Sequence, residues 1–345
     1  MARCSRSSSG ADRRGFPGRW IPFAAATLLL GVAAAACSAT PAPATTTPAA
    51  TSRPSPAPTQ APPTVSPTAE PSPTEPPPTP AVLLAAGDIS SCNNDGDEAT
   101  ARLIDARPGT VAMLGDSAYD RGSPKEFADC YAPTWGRFLD RTRPAPGNHE
   151  YLTPGASGYF DYFGAAAGPA GLGYYSYDLG AWHIVVLNSM CWEVGGCTAE
   201  DPQAVWLAED LHQHPSECTL AYWHYPRFSS GQHGGSDLVS VYWEMLYRAG
   251  AEVVLTGHDH DYERFAPQDA QGKADPEKGL REFVVGTGGF SHYPFPGRPT
   301  ANSEVHDASS YGILVLRLLP DSYEWEFVPV AAESFSDRGT GTCHP

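Results

Sequence analysis

Six side chains of the types that bind metal ions recur along the chain, each just after a short apolar run. They are Asp88, Asp116, Asn148, His224, His258 and His260. A glycine directly precedes four of them and allows the backbone to turn sharply before the polar residue. Carboxylate, amide and imidazole groups together suit transition-metal ions. A single such residue is commonplace. The six residues lie in five segments, because His258 and His260 share one, and five such segments at helix-sized intervals predict one shared metal site.

The apolar runs before these residues have the pattern of buried strands. They cover residues 81–86, 110–114, 143–146, 219–223 and 251–256. Continuous apolar runs that end at turn residues are typical of strands covered on both faces. Apolar residues at helical spacing predict helices over 97–106, 202–214 and 236–249. This alternation of strands and helices predicts βαβ units.

Two further segments predict antiparallel strand pairs. Residues 174–189 turn at Gly180-Ala181, and residues 311–330 turn at Pro320-Asp321. The predicted fold class is therefore α/β, with two sheets packed together and helices outside them. Ligands of open α/β sheets bind beyond the carboxyl ends of the strands. Each of the six polar residues lies at such an end.

The combined motifs resemble those of the calcineurin-like metallophosphoesterases. The motifs are Gly87-Asp88, Gly115-Asp116-Ser117-Ala118-Tyr119, Gly147-Asn148-His149-Glu150, His224 and Gly257-His258-Asp259-His260. Tyr119, three residues after Asp116, makes the chain most similar to the purple acid phosphatase branch. The resemblance covers residues 81–330. It implies a β-sandwich of two mixed sheets flanked by helices, in an α/β/β/α arrangement.

The resemblance also implies two metal ions that share Asp116, about 3.5–4 Å apart as in other two-metal sites. One ion would take Asp88, Asp116, Tyr119 and His260. The other would take Asp116, Asn148, His224 and His258. The phenolate implies Fe³⁺ in the first set, and the second set suits Zn²⁺, Mn²⁺ or Fe²⁺.

One departure from the non-purple members supports the assignment of Tyr119. Those members have a histidine two residues after the first aspartate, where this chain has Ser90. Tyr119 supplies the ligand that Ser90 cannot. The alternative is that Tyr119 is a packed core tyrosine, which would leave the first ion with too few ligands.

Two further histidines are candidate catalytic residues by the same resemblance. His149 follows Asn148 and would contact the substrate and assist the leaving group. His233 lies nine residues after His224 and is a candidate general acid, although it could also be a solvated loop residue. Glu150 is expected to orient a neighbour, and His292 could line the pocket or lie on the surface. The remaining histidines, among them His183, His212 and His214, are expected to be ordinary strand, helix-surface or tail residues.

The implied function is hydrolysis of small phosphomonoesters by attack of a metal-bound hydroxide. A phosphodiesterase or nucleotidase on the same metal centre is the alternative within the enzyme class. A surface lipoprotein that binds phosphate or a partner through an inactive phosphatase fold is the alternative from another class. The intact ligand set argues against an inactive protein.

The N-terminus has the pattern of a bacterial export signal. Arg13, Arg14 and Arg19 precede an apolar run over 23–36, which is short for a membrane span and fits a signal-peptide core. Small residues before Cys37 resemble a lipobox, so residues 1–37 are interpreted as a signal peptide ending in a lipidated cysteine. An ordinary cleaved signal with an incidental cysteine is the alternative. The Arg13-Arg14 pair also faintly resembles a twin-arginine signal. The predicted location is the bacterial cell surface or the exterior.

Residues 38–80 are predicted to be a disordered spacer. They contain 15 prolines and 15 serines or threonines and almost no large apolar residue. Such a segment cannot bury enough surface to offset its ordering entropy, and its prolines favour an extended chain. Residues 81–345 are then a single metallophosphoesterase domain that the spacer holds away from a membrane and that contacts the membrane only through the N-terminal lipid.

The charge of the chain argues against two classes of partner, nucleic acids and anionic membrane surfaces. The whole chain has 22 Lys and Arg against 39 Asp and Glu, and residues 81–345 carry a net charge of −20. A domain of this charge repels polyanions and anionic membrane surfaces. A general nucleic-acid binder is therefore not expected, and a small phosphate ester is the expected substrate.

Six cysteines remain besides Cys4 and Cys37, an even number that suggests disulfides in an exported domain. Six cysteines allow 15 pairings, which sequence alone does not distinguish. The pairing predicted here is Cys191–Cys197, Cys92–Cys130 and Cys218–Cys343. A zinc site is the competing interpretation, although no C-x-x-C pair is present.

Overall fold

The computed structural model describes residues 80–216, 218–331 and 334–344. The predicted signal peptide over 1–37 lies outside the described residues. So does the predicted spacer over 38–80, apart from Pro80. Among the described residues, no helix is long and apolar enough to cross a membrane.

The described residues form thirteen strands and five α-helices. The strands are β1 (Ala81–Ala86), β2 (Thr110–Leu114), β3 (Thr142–Ala145), β4 (Tyr175–Leu179), β5 (Trp182–Val186), β6 (Cys218–Tyr222), β7 (Val253–Thr256), β8 (Tyr262–Phe265), β9 (Arg281–Val285), β10 (Ser303–Asp307), β11 (Gly312–Leu318), β12 (Ser322–Pro329) and β13 (Arg338–Thr342). The helices are α1 (Gly96–Asp105), α2 (Pro124–Glu126), α3 (Ser157–Phe163), α4 (Pro202–Gln213) and α5 (Ser240–Ala249). The predicted helices match α1, α4 and α5, but the third begins at Ser240 after a 3₁₀ turn over Asp237–Val239.

The strands form two mixed sheets. The six-stranded sheet has the order β13-β12-β11-β1-β2-β3, and its strands β1, β2 and β3 are parallel. The seven-stranded sheet has the order β10-β8-β9-β7-β6-β5-β4, with β5, β6, β7 and β9 parallel. The predicted antiparallel pairs are β4 with β5 and β11 with β12. The predicted α/β class with two packed sheets is confirmed.

Apolar side chains cover both faces of the seven-stranded sheet. Ile184 points into the core between the sheets, whereas its neighbour Val185 packs on the other face with Leu207 of α4 and Leu246 of α5. Full burial of one such side chain contributes roughly 1.5–3 kcal/mol. The continuous apolar runs of the central strands are therefore explained by burial on both faces.

Strand β13 was not predicted, because its sequence Arg-Gly-Thr-Gly-Thr lacks an apolar pattern. Its glycines lie against aromatic rings of β12. A Cβ atom added at Gly339 would lie 2.3 Å from the Trp325 ring, and one added at Gly341 would lie 2.3 Å from the Tyr323 ring. The rings of β12 therefore take the space that side chains of β13 would occupy.

Three disulfides tie the domain together: Cys92–Cys130, Cys191–Cys197 and Cys218–Cys343. This is the predicted pairing, and the competing zinc interpretation for these cysteines is wrong. The last bond joins the first residue of β6 to the segment after β13, 125 residues later. It therefore closes a loop that includes most of the seven-stranded sheet and all of β11, β12 and β13.

Removal of the Cys218–Cys343 bond should destabilise the domain more than removal of the Cys191–Cys197 bond. The loop-entropy argument gives about 5 kcal/mol for the 125-residue separation and about 2 kcal/mol for the 6-residue one. Each pair contains one fully buried cysteine, so double alanine variants are matched in packing loss. Denaturant unfolding of the two variants checks the order, and a reversed order would contradict the loop argument.

Candidate metal centre

The strand register brings the predicted ligands of the six-stranded sheet to one edge. Asp88 follows β1 and Asp116 follows β2, and the backbone N–H of Asp88 donates to the carbonyl oxygen of Gly115 over 3.1 Å. Asn148 follows β3, which is parallel to β2. The three oxygen-bearing residues therefore leave neighbouring strands in the same direction.

The histidines come from the seven-stranded sheet and meet the same edge. His224 follows β6, while His258 and His260 follow β7. The backbone N–H of His258 donates to Oδ2 of Asp88 over 2.8 Å, which joins the ends of the two sheets directly. All six residues that the sequence singled out are thus brought together.

Three polar atoms converge on the hydroxyl of Tyr119. Its hydroxyl oxygen lies 2.7 Å from Oδ1 of Asp88, 3.1 Å from Oδ2 of Asp116 and 3.2 Å from Nε2 of His260. The hydroxyl has only one proton to share among the three neighbours. The set therefore has a surplus of electron pairs over protons, which a cation relieves. Tyr119 is buried, but its hydroxyl faces ligands and not only the core.

A second group of donor atoms lies around His224. Its Nδ1 donates to the carbonyl oxygen of Leu114 over 2.8 Å, which leaves Nε2 to face the site. Nε2 lies 3.2 Å from Oδ2 of Asp116 and 3.1 Å from Oδ1 of Asn148. One donor atom each of Asp116, His224 and His258 lie within 4.8 Å of one another. The donor chemistry therefore fits a cation here as well.

Both groups include the same atom, Oδ2 of Asp116. It lies 3.1 Å from the Tyr119 oxygen and 3.2 Å from Nε2 of His224. A carboxylate in this position can bridge two cations. Both groups are drawn from the residues that the resemblance assigns to the two ions, and that assignment stays a prediction.

The carboxylates favour positive charge at His224, whereas burial and the nearby His224 lower the pKa of His258 to about 3. Burial by itself lowers the pKa of His224, but the Asp116 carboxylate and Asp88 raise it to about 9. Burial, together with the carboxylates of Asp116 and Asp88, raises the pKa of Tyr119 well above its usual value. A metal cation reverses the effect on the phenol, because its charge favours the phenolate.

Three of the ligand residues have left-handed backbone conformations although they are not glycine. The φ angles are 60° for Asp88, 51° for Asp116 and 72° for His258. Each such residue costs about 1–3 kcal/mol and persists only where its surroundings hold it in place. Strain of this kind concentrates at functional sites.

Buried Glu150 holds the turns that carry two ligands. Its carboxylate accepts from the backbone N–H groups of Asp116 over 2.9 Å, Ser117 over 2.8 Å and Gly147 over 2.7 Å. Gly147 is required because a Cβ there would lie 2.1 Å from Oδ1 of Asp116. Glu150 therefore orients its neighbours, as expected.

His149 lies at the edge of the site. Its Nδ1 donates to the carbonyl oxygen of Asp120 over 2.5 Å, and its Nε2 lies 3.9 Å from Oδ2 of Asp116. Its ring packs on Tyr119 with a centroid distance of 4.4 Å. The ring is thus fixed with Nε2 toward the ligands and Nδ1 away from them.

His233 lies beside His258. The two ring centroids are 4.5 Å apart, and His233 is exposed to solvent. Its backbone N–H donates to Asp259 over 2.7 Å, and Asp259 also accepts from Ser229 Oγ and from the N–H of Gly234. The residue between the two histidine ligands therefore holds the loop that carries His233.

Several residues that the sequence analysis missed complete the surroundings. Phe290 stacks on Tyr119 at 3.6 Å, Tyr293 stacks on His260 at 4.2 Å, and Ser291 Oγ lies 2.7 Å from Nδ1 of His260. His292 instead contacts the carbonyl oxygen of His260 and the ring of Tyr311. The glycine-rich loop before Phe290 was the only signal for this segment, and it did not show which residue faces the site.

Comparisons with known proteins agree with this geometry. Residues 75–262 match the family model described as calcineurin-like phosphoesterase. Purple acid phosphatase 15 of Arabidopsis thaliana is 25% identical over 72% of this chain and 54% of its own length. Purple acid phosphatase 21 of the same plant is 31% identical over 61% of this chain and 50% of its own length. The chain thus spans about half the length of these curated relatives.

Solved structures show the same fold. A purple acid phosphatase from yellow lupin seeds has a TM-score of 0.55 and 18% identity, over 76% of this chain and 54% of that one. GAP50 of Plasmodium, described as an anchor in the inner membrane complex, has a TM-score of 0.60 and 13% identity, over 78% of this chain and 90% of that one. On the family match and the site geometry, the chain belongs to the calcineurin-like phosphoesterase family, and within it the chain is similar to the purple acid phosphatases.

Proposed function

We propose that the chain is an exported phosphatase of the purple acid phosphatase type, which hydrolyses small phosphomonoesters at a centre of two metal ions. The observation that carries the proposal is the position of Asp116, whose Oδ2 belongs to both groups of donor atoms. A shared carboxylate of this kind is the device that holds two cations close together.

Asp88, Asp116, Tyr119 and His260 would hold Fe³⁺, and Asp116, Asn148, His224 and His258 would hold Zn²⁺, Mn²⁺ or Fe²⁺. The phenol of Tyr119 favours the trivalent ion in the first group, and two imidazoles suit a divalent ion in the second. Two such ions neutralise phosphate charge and supply an activated water for in-line displacement.

The protein's own groups would handle the leaving alkoxide. The bond of His149 Nδ1 to Asp120 leaves Nε2 facing the site, and as an imidazolium the ring would donate its Nε2 proton to the leaving alkoxide. His233 lies beside His258 on a loop held by Asp259. General-acid assistance of this kind contributes roughly 10²–10⁴-fold to a rate.

Export is supported by the three disulfides, which form and persist in oxidising compartments. The arginines and apolar run of the N-terminus, with Cys37 at its end, add the signal and the lipid anchor. The charge of −20 over residues 81–345 favours small phosphate esters over long polyanions.

Asp116→Ala and Asp116→Asn should both abolish hydrolysis of p-nitrophenyl phosphate, with a loss of at least about 10³-fold in kcat, because the bridge between the ions is removed. Metal content per chain should fall at the same time. Asp120→Asn is the matched control, since this exposed carboxylate lies four residues away and makes its contact to His149 through the backbone. Retained activity in the Asp116 variants would rule out the two-metal mechanism.

Tyr119→Phe should remove the visible absorption that a tyrosinate gives with Fe³⁺, while the ring keeps its stacking on Phe290. Tyr293→Phe is the control, because this tyrosine also stacks in the site but its hydroxyl belongs to neither donor group. Visible spectra and iron content of the purified proteins provide the measurement. An iron-containing but colourless wild type would show the assignment of Tyr119 to be wrong.

His149→Asn and His233→Asn should slow hydrolysis of an alkyl phosphate more than hydrolysis of p-nitrophenyl phosphate. A nitrophenolate leaves without protonation, whereas an alkoxide depends on a general acid. We expect a loss of roughly 10²-fold or more for the alkyl ester with at least one of the variants. Exposed His306 provides the control variant. Equal losses for both substrates would show that neither histidine acts as the general acid.

A further inference from the structure

A second cluster of metal-binding side chains lies away from the candidate metal centre. One donor atom each of His183, Asp210 and His214 lie within 4.8 Å of one another. His183 is the second residue of β5, Asp210 lies on α4, and His214 follows the last residue of α4. The candidate metal centre lies beyond the carboxyl ends of β6 and β7, which run parallel to β5. The cluster is therefore at the opposite end of the sheet.

Both imidazoles lie beside the Asp210 carboxylate, and an ion would take the place of the proton that His183 and Asp210 share in their hydrogen bond. Nε2 of His183 lies 2.9 Å from Oδ2 of Asp210, and Nδ1 of His214 lies 3.4 Å from Oδ1 of the same carboxylate. The two imidazole rings are nearly parallel, with centroids 4.8 Å apart. A single buried carboxylate thus faces two imidazoles that come from different elements of the fold.

Neighbouring groups orient these side chains in the manner of a metal site. Nδ1 of His183 lies 3.1 Å from Oδ1 of Asp178, and Ser176 Oγ donates to Oδ1 of Asp210 over 2.6 Å. A carboxylate on the outer nitrogen of a histidine fixes its tautomer and raises the basicity of the nitrogen that ligates. Asp178 therefore presents Nε2 of His183 to the space beside Asp210.

An ion could reach the cluster from solvent. A surface recess of about 430 Å³ is lined by Asp178, His183, His214 and Ser216, among others. The side chain of His214 is 45% exposed, so a water could complete the coordination. Its Nδ1 also bonds the carbonyl oxygen of Asp210 over 2.9 Å and must release its proton to ligate an ion.

We propose that His183, Asp210 and His214 form a zinc site that is separate from the candidate metal centre. Two imidazoles and one carboxylate with an open fourth position make a set that suits Zn²⁺ and not the hard cations Ca²⁺ and Mg²⁺. The ion would tie the end of α4 to the β4–β5 hairpin at the edge of the seven-stranded sheet. Its role would be structural, since the cluster is remote from the predicted catalytic residues.

Zinc content of matched variants of the full chain tests the proposal. Wild type, His214→Ala and His212→Ala are equilibrated with a small excess of Zn²⁺, separated from free metal, and analysed for zinc per chain. Because zinc can also enter the candidate metal centre, the difference between variants is the readout. His212 is an exposed histidine of α4 that lies outside the cluster, so its variant controls for surface binding.

We expect His214→Ala to bind about one zinc fewer per chain than wild type, and His212→Ala to bind as much as wild type. Asp178→Asn should weaken binding roughly 10–100-fold, as loss of an orienting carboxylate does. Zn²⁺ should raise the Tm of wild type more than that of His214→Ala. Equal zinc in wild type and His214→Ala, or an equal loss in His212→Ala, would overturn the proposal.

The same experiment in Asp116→Asn protein keeps this question apart from the proposed function. If the cluster is a zinc site, the difference between the His214 and His212 variants persists after the candidate metal centre is disabled. Phosphatase activity of His214→Ala should equal that of wild type, but the zinc count decides the matter even if no activity is found. A difference that disappears in the Asp116→Asn background would assign the zinc to the other centre.

Discussion

One carboxylate oxygen, Oδ2 of Asp116, sets the geometric requirement that the rest of the domain must meet. It stands about 3 Å from a phenol presented after β2 and from an imidazole presented after β6. Because these strands belong to different sheets, the sheets must meet with their carboxyl ends aligned. The apolar core between the sheets and the bond from the His258 backbone to Asp88 impose that alignment. Packing of the two sheets therefore brings together the two sheet edges that carry the candidate ligands.

The same requirement explains why three of the candidate ligand residues have unfavourable backbone conformations. Asp88, Asp116 and His258 have positive φ angles, each of which costs about 1–3 kcal/mol. Glu150 offsets part of this cost, because one buried carboxylate accepts from three backbone N–H groups at the Asp116 and Gly147 turns. Ligand geometry is thus held by residues that need not touch a metal or a substrate themselves.

The parts of the site that sequence predicted are those that follow a strand directly. Asp116 and His224 could be predicted because a buried strand fixes where the next side chain points, and all six strand-end candidates come together. Phe290 and Ser291 could not be predicted from the sequence, because they lie in a loop whose path depends on packing against Tyr119 and His260. Strand β13 could not be predicted for a related reason, because its glycines pack against aromatic rings of β12. Sequence patterns therefore predict the residues whose position is set by the strand before them. They do not predict residues whose position is set by packing against a distant part of the chain.

Part of the negative charge of the domain is buried beside the candidate metal centre. Asp259, Asp261 and Glu263 are buried directly after His258, and burial together with Asp259 and Glu263 raises the pKa of Asp261 well above its usual value. Asp259 is instead bonded to the loop of His233, and Glu263 to the hydroxyl and N–H of Ser230. Together with Asp88 and Asp116, the hydrogen-bonded carboxylates of Asp259 and Glu263 create a negative potential that attracts cations to the strand ends, whereas the raised pKa of Asp261 favours its uncharged form. For the phosphate ester proposed above, this potential is unfavourable until cations offset it, so the proposed function requires metal binding before substrate binding.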